Sequence, residues 1–252
     1  EGARKLLAAE GRITAPEITR AWERLTAAYF LRHTPEEVAW HTQLLADREP
    51  GSEEPLVAVQ AESERGTTAI LAFAPHRYNG FAITTAVLDQ LGLNIVDARI
   101  TPTGDGFSLD LYHVLEEDGA PISDSERIGE IERALWRALQ RPDEAPVTVT
   151  RRVPRQARMF RTATQIAVTV DERNRRSVLE LVAGDRPGLL CDVGKVLMEE
   201  RVDLLAAKIM TVGERAEDVF YLASLSGQPL DEQAAARLQQ KLSGQLDRRA
   251  AA

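Results

Sequence analysis

The stretch ELVAGDRPGLLCDVGKVL, residues 180–197, joins the pattern of a buried strand to that of a helix. A short apolar run, Leu179, Leu181 and Val182, meets Gly-Asp-Arg-Pro-Gly, and a helical pattern follows. Pro187 and Gly188 suit a tight turn, and the first amides of a helix attract carboxylates because they have no intrahelical acceptor. The loop is neither a P-loop, a dinucleotide fingerprint nor a Gly-x-Ser-x-Gly turn. It predicts a strand–turn–helix unit that binds a small molecule, although such a turn can also simply cap a helix.

The same order of elements occurs twice, at a constant spacing of 109 residues. In each copy a strand is followed by a helix, a two-stranded hairpin and a second helix. The matching residues are Ala74 and Ala183, Arg77 and Arg186, Val87 and Val196, Leu88 and Leu197, Ala98 and Ala207, Ile100 and Ile209, and Gly104 and Gly213. One ungapped register with the same element order indicates an internal duplication of a βαββα(β) unit. A right-handed crossover then predicts, for each copy, a four-stranded sheet with helices on one face.

The composition shifts divide the chain into four parts. These are a helical segment with its linker at 1–50, a first repeat at 56–141, a linker at 142–163 and a second repeat at 164–252. Within the helical segment, Thr34-Pro35-Glu36-Glu37 predicts a helix start with a capping box. His33 and His41 flank that start without a neighbouring His-Asp pair, which favours a structural role over metal binding.

Composition bounds the function classes. The 252 residues are 44% hydrophobic and 28% charged, with a net charge of −8, which argues against a general nucleic-acid binder. The arginines Arg151, Arg152, Arg155, Arg158 and Arg161 favour a solvated linker face over a phosphate-binding patch, because no aromatic ladder accompanies them. A single cysteine, Cys191, and the absence of a membrane-span pattern are typical of a cytoplasmic protein. The chain begins with Glu1 and contains no catalytic signature, so we expect a non-catalytic piece of a longer protein.

Two sets of residues resemble known families. Asp185-Arg186-Pro187-Gly188-Leu189-Leu190, with Val202-Asp203-Leu204 beyond it, is similar to an ACT domain, the amino-acid-sensing module. AYFLRHTPEEVAWHTQLL and DQLGLNIVDARI resemble the C-terminal part of the bifunctional uridylyltransferase/uridylyl-removing enzymes, which modify the PII nitrogen-signalling protein. The resemblance implies an α+β fold, in which tandem ferredoxin-like βαββαβ ACT domains follow a helical segment.

The same resemblance implies function. The expected effector is glutamine, and the expected partner of the whole enzyme is PII. The nucleotidyltransferase and phosphohydrolase domains of such an enzyme, with their Mg²⁺ and UTP, would precede this chain. We expect no cofactor, metal or catalytic residue here. A stand-alone ACT-repeat regulator and a small enzyme with an unrecognised site are the alternatives.

The resemblance also implies a ligand site in each repeat. In the second repeat, Asp185 would accept the ligand's ammonium, and the amides of Gly188, Leu189 and Leu190 would hold its carboxylate. Pro187 belongs to the same loop, Arg186 would brace it, and Asp203 stands where ACT domains often keep an Asn. The corresponding first-repeat residues are His76, Arg77, Asn79, Gly80, Phe81 and Asn94. Because His76 replaces an Asp and Tyr78-Asn79 replaces Pro-Gly, the second repeat is the better predicted site. ACT units usually pair sheet edge to sheet edge, so both sites are expected at a seam, formed within one chain or by dimerisation.

Overall fold

The computed structural model describes residues 1–49, 51–61, 63, 66–145, 163–213 and 215–251. The arginine cluster and most of the 142–163 linker lie outside these residues. The helical segment contains α1 (Gly2–Glu10), α2 (Ala15–Glu23), α3 (Ala27–Arg32) and α4 (Pro35–Ala46). The capping box predicted for α4 is confirmed, because the Thr34 amide donates to the Glu37 carboxylate at 2.9 Å and the Glu37 amide donates to the Thr34 hydroxyl at 3.2 Å.

Two units of like build follow the helical segment. The first contains β1 (Leu56–Gln60), β2 (Thr68–Pro75), α5 (Gly80–Gln90), β3 (Asn94–Pro102), β4 (Phe107–Leu115) and α6 (Ser125–Gln140). The second contains β5 (Gln165–Asp171), β6 (Arg176–Gly184), α7 (Leu189–Glu199), β7 (Val202–Lys208), β8 (Thr211–Val212), β9 (Arg215–Ser224) and α8 (Glu232–Ala251). The α+β class with two ferredoxin-like units is therefore confirmed.

In each unit the outer strand comes first in the sequence. Within the described residues one sheet runs in the order β1-β2-β4-β3-β7-β9-β6-β5, with β8 beside β9. In a βαββαβ unit the last strand lies at this edge of the sheet. Here β1 and β5, the first strands of their units, take that position, and each pairs antiparallel with the strand that follows it. A short connection between consecutive strands makes this hairpin pairing the direct one. Both units therefore have the chain order ββαββα, apart from the short β8, and not the predicted βαββαβ.

The two units pair edge to edge within the chain. Strands β3 and β7 run antiparallel through the Arg99–Lys208 pair, and helices α5 and α7 pack against each other on one face of the sheet. Gly194 of α7 lies against Ala82 of α5, so closely that a Cβ at residue 194 would be 2.7 Å from the Ala82 Cα. We call this junction the seam. Dimerisation, the other predicted form of pairing, stays a prediction.

Among the described residues, helices cover the opposite sheet face in the first unit but not in the second. In the first unit, Leu71, Phe73 and Leu109 are fully buried on this face, in a cluster with Tyr29 and Val38 of the helical segment. The matching positions of the second unit include Glu180 and Glu217, which replace Leu71 and Leu109. Helices cover the first face because its outward residues are apolar, whereas these carboxylates suit the second face to water. Among the described helices, none is long and apolar enough to cross a membrane.

Candidate functional site

A cavity of about 460 Å³ lies at the seam, between the two units. The second unit contributes the turn at 185–190 and the first unit contributes the start of β3. We call this cavity the open pocket. Its lining includes Asp185, Gly188, Leu190, Asn94, Thr85 and Asp218.

The turn that opened the sequence analysis shapes one wall of the open pocket. Gly188 caps α7 with a φ of 74°, a left-handed conformation that glycine adopts without strain. Arg186 is braced, since its guanidinium donates to Asp192 at 2.7 Å and to the Pro187 carbonyl at 3.3 Å. The Leu189 amide donates to the Arg186 carbonyl at 3.2 Å, so one of the three amides predicted to bind a carboxylate is used within the turn. Gly188 and Leu190 supply the other two.

A buried carboxylate that the sequence analysis missed lies in the same pocket. Asp218 of β9 is 1% exposed. Its Oδ1 accepts the Met210 amide at 3.2 Å, and its Oδ2 has no hydrogen-bond partner among the described residues. Burial raises the pKa of Asp218 to about 7, and the Asp185 charge adds to the effect. Partial desolvation at the pocket wall raises the pKa of Asp185 too, although this residue is exposed, and the hydrogen bond from the Arg186 backbone opposes the effect.

The open pocket is acidic. Asp89, Glu117 and Asp118 of the first unit line it together with Asp185 and Asp218. Its one lining cation, within the described residues, is Arg186, which is ion-paired with Asp192. Asp89 and Asp218 are buried, whereas Asp185, Glu117 and Asp118 are exposed. Carboxylates grouped around one cavity favour a cationic group beside them and disfavour a further anion. The pocket is therefore suited to a small molecule that carries an ammonium group.

The first-repeat residues lie at a second, much smaller pocket across the seam, of about 30 Å³. We call it the closed pocket. His76, Arg77, Gly80 and Phe81 line it, and Nε2 of His76 lies 2.9 Å from Oδ1 of Asp203. This hydrogen bond raises the pKa of His76. Asn79 is buried at the start of α5 and is not part of the lining.

Each pocket combines residues of both repeats. Asn94 lies in the open pocket with the 185–190 turn, and Asp203 is hydrogen-bonded to His76, which lines the closed pocket. Grouping Asp203 with Asp185, and Asn94 with His76, was therefore wrong. The reason is the antiparallel seam, which brings the turn of one unit to the β3 or β7 start of the other.

A sequence signal for Asp218 did exist. Asp110 and Asp218 occupy equivalent strand positions, because Asp110 pairs with Ala72 and Asp218 pairs with Leu181. The second hairpin is one residue shorter than the first, so the constant spacing of 109 loses this match. A gap in the repeat comparison would have placed an aspartate at the same position in both copies.

No group of three or more His, Cys, Asp or Glu side chains is arranged to hold a metal ion in the described residues. His33 and His41 are buried in the helical segment, where Nδ1 of His41 lies 2.8 Å from the Tyr29 hydroxyl. Burial lowers the pKa of His33 to about 4 and depresses that of His41 as well. Both rings are therefore neutral near pH 7.

Comparison with known proteins identifies enzymes that are related to this chain. The bifunctional uridylyltransferase/uridylyl-removing enzyme of Pseudomonas savastanoi pv. phaseolicola is 42% identical over 91% of this chain, and that of Ectopseudomonas mendocina is 43% identical over 89%. The chain is homologous to these enzymes. It spans about a quarter of the length of these relatives, 26% in both cases, and corresponds to a C-terminal part of them.

Two further comparisons were informative to different degrees. The family described as the uridylyltransferase GlnD fifth domain matches residues 1–44, which lie within the helical segment. A crystal structure of aspartate kinase from Synechocystis shares 17% identity, with a TM-score of 0.40 over 73% of this chain and 28% of that chain. A likeness this distant does not inform the function.

Proposed function

We propose that the open pocket of this regulatory part of a uridylyltransferase/uridylyl-removing enzyme binds glutamine. The observation that supports the proposal is Asp218, whose buried Oδ2 has no hydrogen-bond partner among the described residues. An unsatisfied buried carboxylate is costly, and a ligand that donates to it removes that cost.

A free amino acid has the chemistry that the pocket requires. Its ammonium group would lie between Asp185 and Asp218, and its carboxylate would accept the amides of Gly188 and Leu190 at the start of α7. The side-chain end would face Asp89, Glu117 and Asp118. A neutral amide can donate to these oxygens, whereas a second carboxylate would be repelled. Glutamine would therefore be preferred over glutamate.

Binding would act through the seam. A ligand that contacts both units favours the seam geometry in which both contacts form, by no more than its differential affinity, typically about 1–3 kcal/mol. The helical segment covers the first unit and would pass this change to catalytic domains that use Mg²⁺ and UTP on the PII protein. A cytoplasmic location belongs to the same proposal.

Calorimetric titration of the full chain with glutamine tests the proposal. Asp218→Asn keeps the shape of the side chain but removes its charge, and should weaken binding about ten- to a hundredfold, the equivalent of one charge-assisted hydrogen bond of about 1.5–3 kcal/mol. Asp185→Ala should weaken binding similarly. Glu180→Gln, on the outward sheet face, is the matched control and should bind as the wild type does. Equal affinity for glutamine and glutamate, or no effect of both aspartate variants, would refute the assignment.

A further inference from the structure

The closed pocket is built from the counterparts of the residues that line the open pocket. At equivalent positions the two pockets have Ile100 and Ile209, Leu204 and Ile95, Phe81 and Leu190, Ser108 and Ala216, and Asp110 and Asp218. Asp110, like Asp218, is a buried carboxylate on the central strand of its unit. The two cavities nevertheless differ in volume, about 30 Å³ against about 460 Å³. The framework is thus shared, and the side chains at a few positions decide which cavity is open.

The first deciding position is His76, the counterpart of Asp185. At this position the open pocket has the Asp185 carboxylate, which favours a cation beside it, and the closed pocket has the His76 imidazole. Its partner, Asp203, is the counterpart of Asn94. In the closed pocket the carboxylate therefore comes from the opposite unit, and it is hydrogen-bonded to the imidazole at 2.9 Å. The hydrogen-bonded pair that a ligand would complete in the open pocket is completed here by two side chains of the protein.

The second deciding position is Ser108, the counterpart of Ala216. The Ser108 hydroxyl donates to Oδ1 of Asp110. Ala216 has no hydroxyl, and Oδ2 of Asp218 is left without a partner among the described residues. Burial raises the pKa of Asp110 to about 6, and the His76 charge works in the opposite direction. The titratable groups that face the His76 ring are therefore Asp203 and Asp110.

We propose that the closed pocket is an effector-type pocket occupied by the protein's own His76 imidazole, so that the chain binds one effector molecule and not two. The name effector rests on the proposed function, but the occupancy by His76 does not. The His76–Asp203 bond joins the two units on one side of the seam, and the effector would join them on the other. Removal of the imidazole would leave a site for a small cation of the same shape.

Imidazole rescue tests the occupancy directly. The full chain carrying His76→Gly should melt at a lower temperature than the wild type, and added imidazole should restore stability. At about ten times its dissociation constant, imidazole would raise the folding equilibrium of the variant about 11-fold, since stabilisation grows as 1 + [L]/Kd. Asp203→Ala is the matched control, because it breaks the same bond but leaves no imidazole-shaped hole. Imidazole should stabilise neither this variant nor the wild type.

The outcomes separate this proposal from the proposed function. A folded His76→Gly chain that imidazole does not stabilise would overturn the proposal that His76 occupies the closed pocket. If the variant folds only when imidazole is present, that result itself is the expected rescue. If it folds in neither condition, His76→Ala takes its place in the same assay. Two glutamine molecules bound per wild-type chain would also overturn the proposal. No glutamine binding at all would refute the proposed function, while the imidazole experiment would still decide the occupancy of the closed pocket.

Discussion

Substitution of Gly194 by alanine should force the seam apart. Gly194 is buried in α7, and an added Cβ would lie 2.7 Å from the Cα and 3.1 Å from the Cβ of Ala82 in α5. Carbon atoms in favourable contact are about 3.5–4.0 Å apart, so the two helices would have to separate by roughly 1 Å. The contact involves backbone on both sides, and a side-chain rotation cannot relieve it.

The magnitude follows from two opposing effects. Overpacking of this kind costs about 1–3 kcal/mol. Alanine is a better helix former than glycine, which returns about 1 kcal/mol. Gly244→Ala in α8 is the matched control, because that exposed glycine has nothing within 4 Å of its would-be Cβ. The control isolates the helix effect, so the variants should differ by about 1–3 kcal/mol, or roughly 2–12 °C in Tm.

Thermal unfolding followed by circular dichroism measures the difference, and glutamine titration of both variants supplies a second readout. Gly194→Ala should bind glutamine more weakly than the wild type, because α7 carries the 185–190 turn. Gly244→Ala should bind normally. If Gly194→Ala is as stable as Gly244→Ala, the helices are not in contact at the seam and the reasoning is refuted.

Two further predictions concern charge. Glutamine affinity should rise with pH between about 5.5 and 7.5, because the pKa of Asp218 is about 7 and only its ionised form attracts the ammonium. Calorimetry at several pH values should show that this pH dependence is absent in Asp218→Asn. A pH dependence that persists in the variant would exclude Asp218 as its source. Arg99→Lys should loosen the helical segment, since the buried Arg99 guanidinium donates to Glu37 at 2.7 and 3.0 Å and to the Arg32 carbonyl at 2.8 Å. The single ammonium of lysine cannot make this set, a loss of about 1–3 kcal/mol that Trp22 and Trp40 fluorescence in urea should detect; unchanged unfolding would mean that Arg99 does not hold the segment.

Local features of this protein were readable in the sequence. The Thr34 capping box, the turn at Pro187-Gly188 and the individual strands and helices of the two repeats all depend on residues within a few positions of one another. Turn chemistry, capping and apolar periodicity act over that range. The fold class followed from the element order, because a right-handed crossover leaves few arrangements for such a unit.

The pockets were decided by the tertiary structure. Asp185 and Asn94 are far apart in the chain and meet only because β3 pairs antiparallel with β7. The same pairing brings Asp203 to His76. Aligning the two repeats with each other could not show this contact, because it joins one repeat to the other. Asp218 became a candidate only when its burial and its unpartnered oxygen were known. Burial and desolvation depend on everything packed around a residue, so one aspartate in a strand pattern cannot reveal whether it faces water or the seam.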